Sequence, residues 1–367
     1  MIVKSLKLKN FRNYDLLNLE FDSKTNIFYG DNAQGKTNIL EAVYFTGTTK
    51  SHRGTKDRDL IQFGFEESHI ETIVEKRGVP FQIDIHLKKN SPKGIAINKI
   101  PIKKASELFG IMNLIFFSPE DLNIIKNGPS ERRRFIDLEL SQLDKVYLSD
   151  LSNYNRIVNQ RNKLLKDIYD KKDLLETLDI WDLQLVKYGM NVMSGRRKFI
   201  SRINGIIGDV HEKLTGGTER LQLIYEPGVK EEDFEKILLR NRERDMRMKS
   251  TSVGPHRDDI CFMCGDLDIR RFGSQGQQRT AALSLKLAEI ELVKQEIKDT
   301  PVLLLDDVLS ELDKHRQNYL LDSIREIQTL ITCTGLDDFV NHHFSIHRVL
   351  KVVHGHVVNC DIPQTVI

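Results

Sequence analysis

Two glycines, a lysine and a threonine near the start of the chain have the spacing of a phosphate-binding loop. Gly30-Asp31-Asn32-Ala33-Gln34-Gly35-Lys36-Thr37 fits the pattern G-x-x-x-x-G-K-[ST] and follows the apolar residues Ile27, Phe28 and Tyr29. In such a loop the backbone N–H groups surround a phosphate, the lysine reaches the outer phosphates, and the threonine hydroxyl takes a position on Mg²⁺. The stretch therefore predicts a strand, a P-loop and a helix whose positive end faces the bound anion.

Near the other end of the sequence, an apolar run ends in two acids. Pro301-Val302-Leu303-Leu304-Leu305 precedes Asp306 and Asp307, as expected for a buried parallel strand. An acid at the carboxyl end of a strand beside the P-loop strand can hold the water shell of Mg²⁺, and the next acid can activate a water. Alone, this pattern is commonly a strand that ends in a turn. Its pairing with the P-loop favours a Walker B strand.

A third motif opens a predicted helix. Ser274-Gln275-Gly276-Gln277 precedes apolar residues spaced three and four apart, namely Leu283, Leu287, Ile290 and Val293. This spacing is typical of one face of a long helix.

The elements that must position these motifs follow from the apolar periodicity. Alternation predicts a hairpin over residues 2–21 and an antiparallel β layer over residues 70–102, and residues 111–117 are interpreted as a buried strand. Between residue 117 and the third motif, the spacing of apolar residues changes to three and four. This spacing predicts two helices of about 30 residues, the second ended by Gly216-Gly217. The predicted fold class is α/β, a mixed parallel sheet plus an antiparallel layer, with an inserted all-helical lobe. The predicted domains are residues 1–117, the lobe 118–250, and residues 251–367.

Charge gives only a local signal for a nucleic-acid partner. The chain of 367 residues has a formal net charge of +2, so a basic surface must come from clusters. Three clusters occur: Arg132-Arg133-Arg134, Arg196-Arg197-Lys198, and the basic residues between 238 and 257. One cluster alone is more often a solvated face. Three together favour a DNA-binding surface that includes Arg132, Arg133, Arg134, Arg196, Arg197 and Lys198.

Cysteine content and hydropathy indicate the compartment. Four cysteines in so long a chain do not form a disulfide framework, which agrees with a reducing environment. No apolar run approaches the roughly 20 residues of a membrane span, and the first residues lack the apolar stretch of a signal peptide. We therefore expect a cytoplasmic protein with no membrane partner.

Cys261 and Cys264 have C-x-x-C spacing, which suggests zinc. However, residues three apart on a strand point to opposite faces, and the sequence has no second C-x-x-C. Metal binding by this pair is therefore not predicted.

A fourth motif, Ser310-Glu311-Leu312-Asp313, follows the Walker B acids. The order of the four motifs resembles the SMC-related group of ABC-type ATPases, and within it the bacterial RecF family of recombination-repair proteins. The resemblance covers essentially the whole chain, including Lys9-Asn10-Phe11-Arg12-Asn13-Tyr14, Phe117-Ser118-Pro119-Glu120-Asp121-Leu122, Arg132-Arg133-Arg134-Phe135-Ile136-Asp137 and Gly254-Pro255-His256-Arg257-Asp258-Asp259. It implies an ABC-type ATPase head, ATP-controlled homodimerisation, and binding to double-stranded, gapped or junction DNA. It also implies RecR as a partner and, indirectly, RecO and RecA.

Carried over by position, the resemblance implies a site for ATP and Mg²⁺. Residues Gly30 to Thr37 would bind ATP, Thr37 and Asp306 would hold Mg²⁺, and Asp307 would polarise water. Ser274, Gly276 and Gln277 match three positions of the Leu-Ser-Gly-Gly-Gln signature and would contact the nucleotide of a partner subunit. Arg12 would lie beside the nucleotide, and Glu120 would replace the usual glutamine-loop residue.

Departures from the ABC pattern predict slow hydrolysis. Gly273 and Gln275 replace the usual Leu and first Gly of the signature, Asp307 stands where many relatives have the longer Glu, and no histidine occurs at Leu330-Ile331-Thr332-Cys333-Thr334. His256 is interpreted as a hydrogen-bonded loop histidine rather than a DNA or nucleotide contact.

Other classes of protein are distinguished by the stretch between the P-loop and the signature. A transporter ATPase would place its signature much closer to the P-loop, and an SMC arm would need long heptad repeats. A small-molecule kinase would need neither the Ser-x-Gly-Gln helix start nor a basic lobe. The alternatives that stay open are an SMC-like or ABC-type ATPase in another DNA-maintenance role or in transport.

Overall fold

Strands dominate both ends of the chain and helices dominate its middle. The structure is a computed structural model that describes residues 1–168, 175–336 and 345–360. Its strands are β1 (Ile2–Phe11), β2 (Tyr14–Glu20), β3 (Thr25–Tyr29), β4 (Glu67–Lys76), β5 (Val79–Lys88), β6 (Ser91–Ile97), β7 (Ile100–Pro101), β8 (Leu114–Phe117), β9 (Leu221–Glu226), β10 (Asp259–Cys264), β11 (Leu267–Asp268), β12 (Val302–Asp306), β13 (Thr329–Cys333), β14 (Arg348–Val353) and β15 (His356–Cys360). Its α-helices are α1 (Lys36–Thr48), α2 (Leu122–Lys126), α3 (Pro129–Leu143), α4 (Lys145–Asp167), α5 (Leu175–Leu214), α6 (Phe234–Arg240), α7 (Arg242–Met248), α8 (Ile269–Phe272), α9 (Gln275–Ile297) and α10 (Lys314–Ile324).

These elements form two compact units, which we call the head unit and the lobe unit. The head unit comprises residues 1–121 and 289–367, and the lobe unit comprises residues 122–288. The sequence placed residues 251–288 with the C-terminal part of the head instead. The difference arises because β10 pairs along its length with β9, from Asp259 opposite Glu226 to Cys264 opposite Leu221. The lobe therefore carries a three-stranded sheet in addition to its helices.

A mixed sheet in the head unit positions the P-loop. Its strand order is β15-β14-β3-β13-β12-β8, and β3, β13, β12 and β8 are all parallel to their neighbours. The side chains of β12 and β13 are almost entirely buried, which explains why both strands are continuous apolar runs. The predicted strands before the P-loop and before Asp306 are both confirmed, and one strand, β13, lies between them.

The second sheet of the head unit is the predicted antiparallel layer. Its order is β2-β1-β4-β5-β6-β7, and the hairpin predicted over residues 2–21 is β1 paired with β2, with Leu6 opposite Leu19 and Leu8 opposite Leu17. Buried side chains alternate along β4, as expected where one face covers the core and the other faces water.

The long helices of the lobe unit differ in length from the prediction. Instead of two helices of about 30 residues, α4 has 23 residues and α5 has 40. Asp144 explains the start of α4, because its carboxylate accepts the N–H groups of Val146 and Tyr147 and so separates α4 from α3. The predicted end of α5 is confirmed, since Gly216 and Gly217 both have positive φ, 67° and 85°. Throughout the described ranges, we find no helix with both the length and the apolarity needed to cross a membrane.

Candidate nucleotide-binding site

The loop between β3 and α1 has the backbone of a phosphate-binding loop. Gly30 has φ of 147° and Gly35 has φ of 111°, values that residues other than glycine rarely adopt. A Cβ atom on Gly30 would lie 2.5 Å from the carbonyl oxygen of Val352 on β14. Glycine is therefore required at this position both by the backbone angle and by the close approach of the neighbouring strand.

Lys36 places its ammonium group inside this loop. Its Nζ donates to the carbonyl oxygens of Gly30, at 2.5 Å, and Asp31, at 2.8 Å. Burial lowers the pKa of Lys36, and negative charge on Cys333, Asp307 and Asp306 acts in the opposite direction. The ammonium is thus held where backbone N–H groups and a helix N-terminus also favour an anion.

The first Walker B acid is joined directly to the P-loop threonine. The Thr37 hydroxyl donates to Asp306 Oδ1 at 2.7 Å, and the Thr332 hydroxyl on β13 donates to the same oxygen at 2.7 Å. Asp307 follows in a left-handed conformation with φ of 53°, and its N–H donates to Thr332 Oγ1 at 3.1 Å. A hydroxyl and a carboxylate in contact are hard oxygen ligands of the kind that Mg²⁺ prefers.

One cavity gathers the predicted catalytic residues of the head unit. It has a volume of about 550 Å³ and is lined by residues 32–38, His52, Arg53, residues 118–120, Asp306, Asp307 and Thr332. Lys36, Thr37, Asp306 and Asp307 therefore face the same space, and Glu120 faces it as well. The role predicted for Glu120 stays a prediction.

His52 and Arg53 line this cavity but were missed from the sequence. The His52 ring stacks on Phe116 of β8, with ring centroids 4.3 Å apart. Burial lowers the pKa of His52 to about 4, so the imidazole is neutral near pH 7. The only sequence signal was a histidine beside an arginine in a polar loop after the P-loop helix, with no fixed spacing to identify it.

The turn between β1 and β2 supports the P-loop from outside. Asn13 Nδ2 donates to the Gln34 carbonyl at 3.1 Å, Asn38 donates to Asn13 Oδ1 at 2.8 Å, and the Tyr14 hydroxyl donates to the Gly35 carbonyl at 3.0 Å. These residues belong to the Asn-Phe-Arg-Asn-Tyr stretch on which the family resemblance partly rests. Their role in holding the loop was not predicted.

Arg12 contacts the P-loop helix. Its Nε and one terminal nitrogen donate to the two carboxylate oxygens of Glu41, each at 2.9 Å. Burial acts to raise the pKa of Glu41, but hydrogen bonds from Arg12 and Ser51 outweigh it and lower that pKa. Arg12 lines a neighbouring cavity of about 920 Å³ with Arg53 and Arg58. Its contact with a nucleotide stays a prediction.

The signature residues lie in the lobe unit, at the start of α9. Ser274 and Gln277 form a reciprocal cap, in which the Ser274 N–H donates to Gln277 Oε1 at 2.9 Å and the Gln277 N–H donates to Ser274 Oγ at 3.2 Å. Ser274 and Gly276 are exposed. The helix start is therefore formed in the single chain, with its serine and glycine open to solvent.

The first two basic clusters, at residues 132–134 and 196–198, divide into buried and exposed members. Arg132 is buried and makes a two-pronged ion pair with Asp259, at 2.5 and 3.0 Å. Arg196 is also buried and donates to Asp137, at 3.0 and 2.9 Å, and to Asp258, at 3.2 Å. These contacts give Arg132 and Arg196 a structural role and argue against the predicted DNA contacts at these two positions.

The other four cluster residues are more accessible. Arg133 is partly buried and donates to the Asp258 carbonyl at 2.6 Å, while Arg134, Arg197 and Lys198 are exposed at the surface of the lobe unit.

His256 is a hydrogen-bonded loop histidine, as interpreted from the sequence. Its Nδ1 lies 2.6 Å from the Tyr154 hydroxyl and its Nε2 lies 3.0 Å from the Thr251 carbonyl oxygen. Since a carbonyl can only accept, Nε2 carries the hydrogen and Nδ1 accepts from Tyr154. Burial lowers the pKa of His256 to about 4.

The P-loop after β3, the acids at the end of β12 and the Ser-x-Gly-Gln start of α9 together define an ABC-type ATPase head of the SMC-related kind. The family model of the RecF/RecN/SMC N terminal domain matches residues 2–356. A DNA replication and repair protein RecF from Lachnospira eligens is 62% identical over 361 residues, which cover 98% of this chain and 99% of the relative. The protein of the same name from Clostridium botulinum is 48% identical over 343 residues, which cover 92% and 94%.

Solved structures give the same result. The recombination mediator protein RecF with ATP, from the RecFOR pathway, is 35% identical, has a TM-score of 0.91, and is matched over 98% of both chains. An Smc head bound to the winged-helix domain of ScpA, at 16% identity and a TM-score of 0.59, shares the fold. The chain belongs to the RecF family.

Proposed function

We propose that this protein is an ATP-controlled DNA-binding protein of replication and recombinational repair. The observation that carries the proposal is the contact of Thr37 with Asp306, 2.7 Å apart, at the wall of a cavity that Lys36 also lines. The curated relatives are named for DNA replication and repair, and a similar structure holds ATP. In the proposed cycle, an ATP-bound dimer clamps duplex, gapped or junction DNA. With RecR and RecO it then helps to load RecA.

The residues of the cavity fit ATP and Mg²⁺. N–H groups of residues 30–37 and the Lys36 ammonium would bind the phosphates, and Thr37 and Asp306 would hold Mg²⁺. The metal would neutralise charge on the phosphate oxygens. The fit to Mg²⁺ rests on the type of ligand atoms. The Thr37 hydroxyl and the Asp306 carboxylate are 2.7 Å apart, and both are hard oxygen ligands.

Hydrolysis is proposed to be slow and stimulated by DNA. Asp307 would polarise the attacking water, but its side chain is one methylene shorter than glutamate. Its N–H is fixed by Thr332 Oγ1 at 3.1 Å, which limits movement of the backbone towards the water. A misplacement of about 1 Å can cost on the order of a hundredfold in rate. A turnover of tens per second without DNA would contradict this part of the proposal.

The second half of the active site is proposed to come from a partner subunit. Ser274 and Gly276 are exposed at the N-terminus of α9, where N–H groups and the helix dipole favour an anion. A two-fold dimer would bring this helix start to the ATP of the partner, so that two chains enclose two nucleotides. Dimerisation would then depend on ATP, because the contact exists only in the ATP-bound state.

Mixing two defective variants tests this arrangement. Lys36→Ala should fail to hold ATP productively, and Ser274→Arg should bind ATP but fail to dimerise. In a mixture, one composite site has both defects and the other has an intact P-loop and an intact signature. Partial dimerisation with ATP should therefore return, as measured by analytical ultracentrifugation. Ser152→Arg, which changes an exposed serine on α4, controls for the added charge and bulk.

Failure of the mixture to recover any dimer would contradict the composite site. ATP binding by Ser274→Arg alone, measured by titration, separates this failure from a loss of nucleotide binding.

DNA binding is proposed to use the exposed cations of the lobe unit. Lys and Arg that bind phosphates release counterions, so removal of one such cation should reduce the salt slope of the binding constant by about one. We expect this from Arg134→Ala, Arg197→Ala and Lys198→Ala, measured by fluorescence anisotropy with duplex DNA. Arg325→Ala, an exposed arginine of the head unit paired with Asp322 at 2.6 Å, is the control. Unchanged slopes in all three lobe variants would remove Arg134, Arg197 and Lys198 from the interface.

A further inference from the structure

We propose that the lobe unit holds a zinc ion on His211, Glu219 and Cys264. His211 lies near the end of α5, Glu219 in the turn that follows, and Cys264 at the end of β10. His211 Nε2 is 3.7 Å from Cys264 Sγ and 3.5 Å from Glu219 Oε2, and the ligand atoms of all three residues lie within 4.8 Å of one another. This set differs from the C-x-x-C pair, since Cys261 is not part of it.

The hydrogen bonds of the His211 ring show which of its two nitrogens carries the hydrogen. The other nitrogen has the lone pair that a metal ligand needs. The Ser284 hydroxyl donates its single hydrogen to the Thr280 carbonyl at 2.7 Å. Ser284 Oγ, which is 2.8 Å from His211 Nδ1, must therefore accept from an Nδ1–H group. In the neutral ring, Nε2 then carries the lone pair and faces the carboxylate of Glu219. A lone pair on Nε2 beside the carboxylate is the arrangement that two ligands of one zinc ion require.

The two distances that start at His211 Nε2 suit tetrahedral zinc. With Zn–N, Zn–O and Zn–S bonds of about 2.0, 2.1 and 2.3 Å, a tetrahedron has N–O and N–S edges of about 3.4 and 3.5 Å. The corresponding separations in the lobe unit are 3.5 and 3.7 Å. Thiolate and imidazole ligands select zinc over Mg²⁺ or Ca²⁺. Three protein ligands leave a fourth position for water.

Two further residues orient the ligands. Ser284 fixes the His211 ring through Nδ1, and Gln277 Nε2 donates to Glu219 Oε1 at 2.8 Å, which leaves Oε2 for the ion. Hydrogen bonds of this kind hold the first ligands of most protein metal sites. Both Ser284 and Gln277 belong to α9, the helix that begins at the signature motif. The ion would therefore join the ends of α5 and β10 to the first turns of α9.

A competing arrangement contains no metal. In it, the Cys264 thiol keeps its proton and donates it to His211 Nε2, which lies 3.7 Å from Sγ. Zinc would replace that proton, which leaves to solvent as the Zn–S bond forms. Zinc affinity should therefore rise with pH.

The test uses the full-length protein, stripped with a chelator and titrated with Zn²⁺ or Co²⁺ alone. Wild type and Cys261→Ser should bind one equivalent, and cobalt should give a thiolate charge-transfer absorption band. Cys264→Ser should lose the band, and Glu219→Gln should weaken binding. Ser284→Ala should lower the affinity by about 10- to 100-fold, the usual effect of removing a residue that orients a ligand.

Cys261→Ser is a matched control, because it removes a thiol from the same strand while leaving the proposed ligands in place. Fluorescence of Trp181, on α5 of the same unit, checks that each variant is folded. If Cys264→Ser does not fold, Glu219→Gln and Ser284→Ala carry the test. Absence of stoichiometric binding by wild type, or a thiolate band that persists in folded Cys264→Ser, would overturn the proposal. None of these readouts involves ATP or DNA.

Discussion

Arg196 and Arg197 are neighbours on α5, but the first is buried in ion pairs and the second is exposed. Replacing each of them separately should therefore have different effects on stability. Arg196→Ala would remove both nitrogens that bond Asp137, at 3.0 and 2.9 Å, and the one that bonds Asp258, at 3.2 Å. Removing one partner of a buried ion pair costs about 3–5 kcal/mol. Asp137 keeps the Tyr147 hydroxyl and Asp258 keeps the Tyr225 hydroxyl, so we expect the lower end, about 3 kcal/mol.

Arg197→Ala should have a much smaller effect on stability. Its side chain is 54% exposed and pairs with Glu231 at 3.0 Å, and an exposed pair contributes about 0–1 kcal/mol. With a urea dependence of about 2 kcal/mol per molar, Arg196→Ala should lower the unfolding midpoint by about 1.5 M and Arg197→Ala by less than about 0.5 M.

Trp181 makes the assay specific to the lobe unit. It is the single tryptophan of the chain and lies on α5, as do both arginines, so its fluorescence during urea unfolding reports this unit. DNA binding of the folded variants is measured in parallel. The reasoning is refuted if Arg196→Ala keeps the wild-type midpoint and loses DNA affinity, because Arg196 would then act as a surface phosphate contact.

Three further predictions concern other parts of the chain. Gly30→Ala should weaken nucleotide binding at least about tenfold in a fluorescent-nucleotide titration. Gly94→Ala, where the nearest atom to an added Cβ is 3.9 Å away, should leave binding unchanged. Equal nucleotide affinity of the two variants would contradict the loop geometry. His256 has a pKa of about 4 in the folded state, whereas a histidine of the unfolded chain gains a proton below about pH 6.5. The free energy of unfolding should therefore fall by up to about 3 kcal/mol as the pH falls from 6.5 to 4. His256→Gln should show a shallower pH dependence of urea unfolding, and an unchanged dependence would count against the buried neutral ring. Arg161→Leu should cost about 3–5 kcal/mol, because Arg161 is fully buried against two aspartates at 2.5 and 2.7 Å, whereas exposed Arg156→Leu should leave the Trp181 unfolding midpoint nearly unchanged.

The nucleotide site could be predicted from the sequence because its chemistry fixes spacing along the chain. The P-loop needs its two glycines, lysine and threonine at set intervals, and the Walker B acids follow directly from a buried strand. The sequence did not predict that β13 lies between β3 and β12 and pairs with both; the structure shows this. The supporting turn at Asn13 and the cavity residue His52 could not be found in this way. Neither has a fixed distance in sequence from the loop that it contacts.

The arginine clusters could not be sorted from the sequence. Arg132 pairs with Asp259 and Arg196 with Asp258, partners that lie far away along the chain. In the sequence, Arg196 and Arg197 are two equal charges in one cluster. Which of them is buried depends on the face of α5 that packs against the turn before β10. The same packing explains the Gly-Pro-His-Arg-Asp-Asp stretch, whose two aspartates accept from these buried arginines.

This pairing changes how the charge of the lobe unit acts on a polyanion. Each buried arginine is neutralised within a few ångströms by an aspartate, and at physiological ionic strength fields are screened over about 8 Å. The two buried arginines therefore contribute little to the potential felt by DNA, whereas Arg134, Arg197 and Lys198 remain exposed. Counting cations along the sequence overestimates the contacts that these clusters can make. The salt dependence of DNA binding should follow the exposed side chains alone.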